Sequence, residues 1–187
     1  QNYLKTFWSN YSKNAYLHCH ISWHLALWAL EKGDLGEMWL IFEESISPSR
    51  SSGPPLNVLT DSVALLYRAT LAGLEVSEDR WQQLSDYASE WFPNPGLAFA
   101  DVHAAVAHAF AGRSERVRKI KDGTKGPASR IVNVLAQTFT AVVEGQYDNA
   151  VRLLIGVMGE HERIGGSRAQ RDLLELTFAY ALLKTGR

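Results

Sequence analysis

His20 and His24 lie four residues apart in the apolar run His20-Ile21-Ser22-Trp23-His24-Leu25-Ala26-Leu27. On a helix that spacing separates two side chains by about 40°, so both imidazoles share one face, and Leu27 and Glu31 continue it. Two imidazoles on one face can hold zinc, but such a site needs a third ligand and an ordered outer shell. His18 points the opposite way, which leaves Asp61 and Asp101, on other helices, as the available carboxylates. The surroundings are apolar, and the preferred expectation is plainer. Both histidines are buried, neutral hydrogen-bond partners that tie stacked helices together, with no metal and no cofactor.

Other chemistry-bearing residues are scattered. His103 sits beside Phe99, Val102 and Val106, as at a helix interface, while Asp101 and His108 fall on the opposite face. Two helical turns separate Asp101 from His108, too far for an acid–base pair. His161-Glu162 opens like His-Glu-x-x-His, but Gly165 stands where the second His belongs, which excludes a zinc protease. In Gly165-Gly166-Ser167-Arg168-Ala169-Gln170-Arg171-Asp172, Ser167 and Gln170 have the three-residue spacing of a capping box. The glycines permit a tight, left-handed approach to the helix. Free amides there, with Arg168 or Arg171, could instead bind an anion. Asp172 in the first turn already complements the helix dipole, so the cap is preferred.

Composition limits the partners. The 187 residues hold 46% hydrophobic and 21% charged side chains, ordinary for a folded chain with a real core. With 19 basic and 20 acidic residues there is no cationic excess to neutralise phosphates, so nucleic acid is not an expected partner. The basic run from Arg113 to Lys125 holds six cations against Glu115 and Asp122, without interleaved aromatics, and reads as a solvated face. Cys19 is the only cysteine, which fits a reducing, cytoplasmic setting. No apolar run reaches the roughly 18 residues of a membrane span. The chain opens on Gln1-Asn2-Tyr3-Leu4, which suggests a piece of a longer protein.

The elements that must carry these residues read as helices throughout. Asn14 is placed to cap a helix running to about Lys32. Leu35, Met38, Trp39, Phe42 and Ile46 trace an amphipathic stripe, and Ser47 to Pro55 reads as a linker. Helices follow at Val58–Ala72, at the stripe Trp81-Leu84-Ala88-Trp91, and at Leu97–Ala111. A short basic helix, Ser114–Lys121, precedes a hairpin of Ile131–Glu144 and Tyr147–Met158, and Ser167–Lys184 closes the chain. Trp23, Trp39, Trp81 and Trp91 lie on apolar stripes and are expected in the core, with Trp28 off its stripe and open to a ligand. About nine to ten helices and no sheet are predicted.

Gly33, Gly73, Gly112, Gly145 and Gly186 end helices at intervals of 40, 39, 33 and 41 residues. A near-period with one helical hairpin per unit marks an all-α fold, an α-solenoid of tetratricopeptide-like hairpins, looser than the repeat of about 34 residues. The Gly145-Gln146-Tyr147-Asp148-Asn149-Ala150 turn is its clearest copy. Residues 1–187 are expected to form a single helical-repeat domain.

Four stretches carry a more specific likeness: His20-x-x-Trp23-His24, Asp61-x-x-x-Leu65-Leu66-x-Arg68, Asp101-Val102-His103 and Ile164-Gly165-Gly166-Ser167 with Gln170-Arg171-Asp172. In order and spacing the chain resembles the C-terminal half of the tetratricopeptide repeat protein 38 family. It departs from that pattern at Ser22 and at His18-Cys19-His20, where the motif tends to carry an Asn–aromatic pair. The resemblance implies a helical repeat fold and a soluble intracellular protein, and implies no reaction.

The expected role is binding of a peptide, protein or small ligand in a concave groove. The candidate ligand-binding residues are His20, Trp23, His24, Asp61 and Arg68. Asp101, His103 and, on the last helix, Ser167, Gln170 and Arg171 complete the set. No catalytic residue is assigned. The alternative is an enzyme or small-ligand protein whose polar pocket gathers His20, His24, Asp61, Asp101 and His103.

Overall fold

The computed structural model describes residues 2–186, and among them it contains ten α-helices, one π-helical turn, one 3-10 helix and no strand. The order is α1 (Asn2–Ser9), α2 (His18–Glu31), α3 (Leu35–Ile41), which runs into the π turn Phe42–Ile46, then α4 (Pro55–Leu71) and α5 (Glu78–Trp91). There follow α6 (Ala98–Phe110), α7 (Ser114–Gly123), α8 (Ser129–Val143), α9 (Tyr147–Ile155), the 3-10 segment Met158–Ile164 and α10 (Arg168–Lys184).

One device ends four of these helices. Gly33, Gly73, Gly112 and Gly145 each adopt a left-handed φ, between 66° and 88°. In each case the following amide bonds back to the carbonyl five residues earlier: Asp34 to Ala29, Leu74 to Ala69, Arg113 to His108 and Gln146 to Ala141. These are Schellman caps, which satisfy orphan carbonyls and reverse the chain so the next helix folds back. The pairs α2–α3, α4–α5, α6–α7 and α8–α9 result, and α2, α4, α6 and α8 pack side by side in chain order. Small residues allow this at the centre. Ala100, Ala104, Ala105 and Ala107 are buried on α6, which packs on α4, α5, α7 and α8.

The largest buried side chains include Trp23, Tyr67 and Phe139, and the Tyr67 ring meets Phe139 edge-on at 5.6 Å between centroids. Each such side chain contributes about 2–3 kcal/mol by burial. The chain then turns back on itself: α10 packs on α9 and also on α4. Its inner face is Leu173, Leu174, Thr177 and Ala181. The Thr177 hydroxyl donates to the Leu173 carbonyl at 2.6 Å, so the Tyr67 hydroxyl is the donor in its 3.0 Å bond to Thr177. No helix among the described residues is long and apolar enough to cross a membrane.

Three local expectations need correction. Asn14 caps nothing. Residues 12–17 form turns, α2 starts at His18, and the Asn14 side-chain oxygen instead receives the Ser52 hydroxyl. The stretch 47–54 is no free linker, because Ser52 donates to the Lys13 carbonyl and Gly53 lies against the Cys19 side chain. Trp91 is 51% exposed, since α5 ends on it, with its ring beside that of Tyr87.

Candidate binding site between α2, α4 and α10

Asp61 is buried on α4 and faces His20 on α2. Nδ1 of His20 stands 3.1 Å from both carboxylate oxygens, and because a carboxylate only accepts, Nδ1 carries the proton. Gln170 of α10 reaches the same carboxylate through Nε2 at 3.5 Å. The other end of that side chain, Oε1, accepts the Ser167 amide at 2.8 Å, and the Gln170 amide donates to the Ser167 hydroxyl at 3.4 Å. The capping box is therefore complete, and one glutamine ties it to the α2–α4 pair.

Each member of the pair holds a proton more tightly than usual. The hydrogen bond to Asp61 raises His20 against the opposing effect of burial. Burial raises Asp61 more than its bonds to His20 and Gln170 lower it. His24 goes the other way, pulled down by burial and by the charges of His20 and Arg68. Its ring meets His20 edge-on at 4.8 Å. Neither histidine is as deeply buried as the sequence suggests; both are only partly buried, at the edge of the α2–α4 contact.

Arg68 lies beneath them. Its guanidinium stacks over Trp23 at 5.4 Å, and Nη2 donates to the Ala169 carbonyl at the start of α10. Nη1 is sealed from solvent with no hydrogen-bond partner among the described residues. Burial lowers the Arg68 pKa, and Asp172 and Glu31 oppose that.

His24 and Arg68 open onto a cleft of about 690 Å³ walled by α2, α4 and α10. Leu27, Trp28 and Leu30 form one wall, Leu71 the base, and Leu176 and Leu183 the opposite wall. Trp28 is half-buried there, which agrees with its place off the α2 stripe. Leu176 is 41% and Leu183 75% exposed. These two leucines went unnoticed in the sequence. The signal was present: Leu176, Ala179 and Leu183 make a second apolar stripe on α10, beside the one that packs inward, and two stripes require two partners.

The remaining candidates do not join this cluster. The Asp101 carboxylate accepts the Gly96 amide at 2.9 Å and closes the turn before α6. His103 is buried, donates from Nδ1 to the Phe99 carbonyl at 2.7 Å, and is pushed down to about 4 by burial. Arg171 bonds to the Gly166 carbonyl and so braces the approach to α10. Among the described residues no three His, Cys, Asp or Glu side chains are grouped to hold a metal ion. No protein-family model matches this chain, and no solved structure matches it.

Proposed function

We propose that this protein is a peptide-binding scaffold of the tetratricopeptide-like solenoid type, and that its ligand occupies the α2–α4–α10 cleft. One observation carries the reading: Leu176 and Leu183 stay exposed on α10 opposite Leu27 and Leu30, although the inner face of the same helix is fully packed. Apolar walls with a few convergent polar groups are the general character of ligand sites. The four glycine-capped hairpins support the repeat architecture, and the likeness to the tetratricopeptide repeat protein 38 family points the same way. A cytoplasmic setting belongs to this reading, with Cys19 a free, buried thiol.

The test is a displayed-peptide selection against the protein, followed by counter-selection with the double variant Leu176→Asp/Leu183→Asp. Peptides that bind the wild type and lose at least about tenfold on the variant support the cleft. Failure to enrich any peptide, or binding indifferent to the variant, overturns it.

The His20–Asp61 pair favours a second reading, in which the cleft holds a small ligand and the pair relays a proton through His24. A ligand protonated or deprotonated on binding would release or take up protons, measurable as a buffer-dependent binding enthalpy. Asp61→Asn should abolish that dependence, and a dependence that survives the substitution excludes the pair.

A further inference from the structure

The cleft has a charge pattern that its apolar walls do not require. Glu31 on α2 and Asp172 and Glu175 on α10 line it, and Glu31 and Glu175 are exposed. None of the three forms an ion pair with a described residue. Arg68 is the one cationic side chain in the lining, and Asp172 and Glu31 act on its charge. It lies over Trp23, one nitrogen is bonded to the Ala169 carbonyl, and the other is sealed. His24 is held below its ordinary value and adds no charge at neutral pH. Lys184 stands at the far end, its ammonium 5.3 Å from the Tyr180 ring. Arg168 and Arg171 adjoin Asp172 and Glu175 without lining the cleft, so the lining itself holds three carboxylates against one guanidinium and is net negative between apolar walls.

The shape of the α10 wall specifies what fits. Leu176 and Leu183 are seven residues apart, about 10.5 Å along the axis, which is two turns. Ala179 lies between them on the same line and is exposed, leaving a hollow flanked by two ridges. A facing helix with apolar residues at i, i+3 or i+4, and i+7 sets its knobs into such hollows. The lined part of α10, from Ala169 to Leu183, extends about 21 Å, room for roughly four turns of a second helix. An anionic membrane surface is the wrong sign for this lining.

We propose that the occupant of the cleft is an amphipathic helix of a partner protein, apolar on one stripe and carrying Lys or Arg along its flanks to meet Glu31, Asp172 and Glu175. The assignment rests on the peptide-binding reading given above and adds the conformation and charge of the ligand.

Two synthetic 18-residue helices test it, each with the same leucine stripe, one flanked by lysines and the other by glutamates. Both are labelled with fluorescein, and binding to the full chain is followed by anisotropy at low and at about 0.15 M salt. The lysine peptide should bind at least about tenfold tighter, with the gap narrowing as salt rises. The double variant Glu31→Lys/Glu175→Lys, at two exposed positions, should invert the order. Leu183→Asp should weaken both. If the glutamate peptide binds as well or better and Leu183→Asp still weakens it, the charge assignment is overturned while the binding reading stands. If neither helix binds, the amphipathic-helix assignment is overturned, and the peptide selection then decides the binding reading on its own.

Discussion

His20 and Asp61 are 41 residues apart in the chain, yet Nδ1 of the imidazole lies at equal distance, 3.1 Å, from both oxygens of the buried carboxylate. The bond fixes the tautomer and raises the proton affinity of His20. A histidine whose folded pKa is raised contributes stability that is fully present below its unfolded value and is lost as pH rises through the folded one. Asp61→Asn should therefore lower the His20 pKa, read from the imidazole carbon-bound proton by NMR titration, and flatten the fall in stability above about pH 6.5. An unchanged titration would show that the carboxylate does not govern His20.

His103 and His108 act in the opposite direction. Both are buried and pushed down to about 4, chiefly by burial. Arg116 donates to the Ser85 hydroxyl, which also lies 2.8 Å from Nδ1 of His108. Depressed histidines contribute stability that is present above about 6.5 and is lost as pH falls toward their folded values. For His103, in the core, this amounts to about 3 kcal/mol. His103→Gln keeps a donor for the Phe99 carbonyl but does not titrate. Its urea midpoint should decline less steeply between pH 6.5 and 4.5 than that of the wild type. Equal slopes would remove His103 from the acid response.

Ser167→Ala should lower stability by about 1 kcal/mol, the usual worth of an N-cap. Gln170→Ala should cost more, because that side chain serves both the cap and Asp61. Thermal melts with and without sulfate separate the cap from an anion site. Sulfate that stabilises the wild type but not Ser167→Ala, with equal melting temperatures in its absence, would establish the anion site instead.

Gly166 has φ 80°, and a Cβ built there would lie 2.4 Å from Cε2 of the Phe99 ring. Gly166→Ala combines left-handed strain with a steric clash and should cost at least about 2 kcal/mol. Phe99→Ala removes the clash and leaves the strain, so the double variant should be more stable than the sum of the single effects allows. Strict additivity in urea melts would show that Phe99 is not the obstacle.

What could be read from the chain alone follows the range of each interaction. Gly33, Gly73, Gly112 and Gly145 act through bonds within six residues, and Ser167 with Gln170 within four, so composition and spacing sufficed. Asn14 misled because an N-cap needs a helix immediately after it, and α2 waits until His18. Trp91 has the right spacing, but a stripe reports the face of a helix and not where its neighbour ends. Asp61 was a candidate partner for the histidines, but so was Asp101; only tertiary packing separates one on α4 beside α2 from one capping its own turn. The cleft was hidden for the same reason, since both its walls are helices remote in sequence.

The bond between Tyr67 and Thr177 joins residues 110 positions apart, whereas the hairpins close through turns of a few residues. Closing a loop of that length costs about 4 kcal/mol of chain entropy before any contact is made. The hairpins can form early and locally, and α10 is expected to dock late, after its surface on α4 has been assembled. The order reverses on opening: α10 should be the first helix to exchange its amide protons, in a cooperative step smaller than global unfolding. Since α10 is one wall of the cleft, a helix bound there as proposed would also act as a clamp and slow the departure of the segment that docks last.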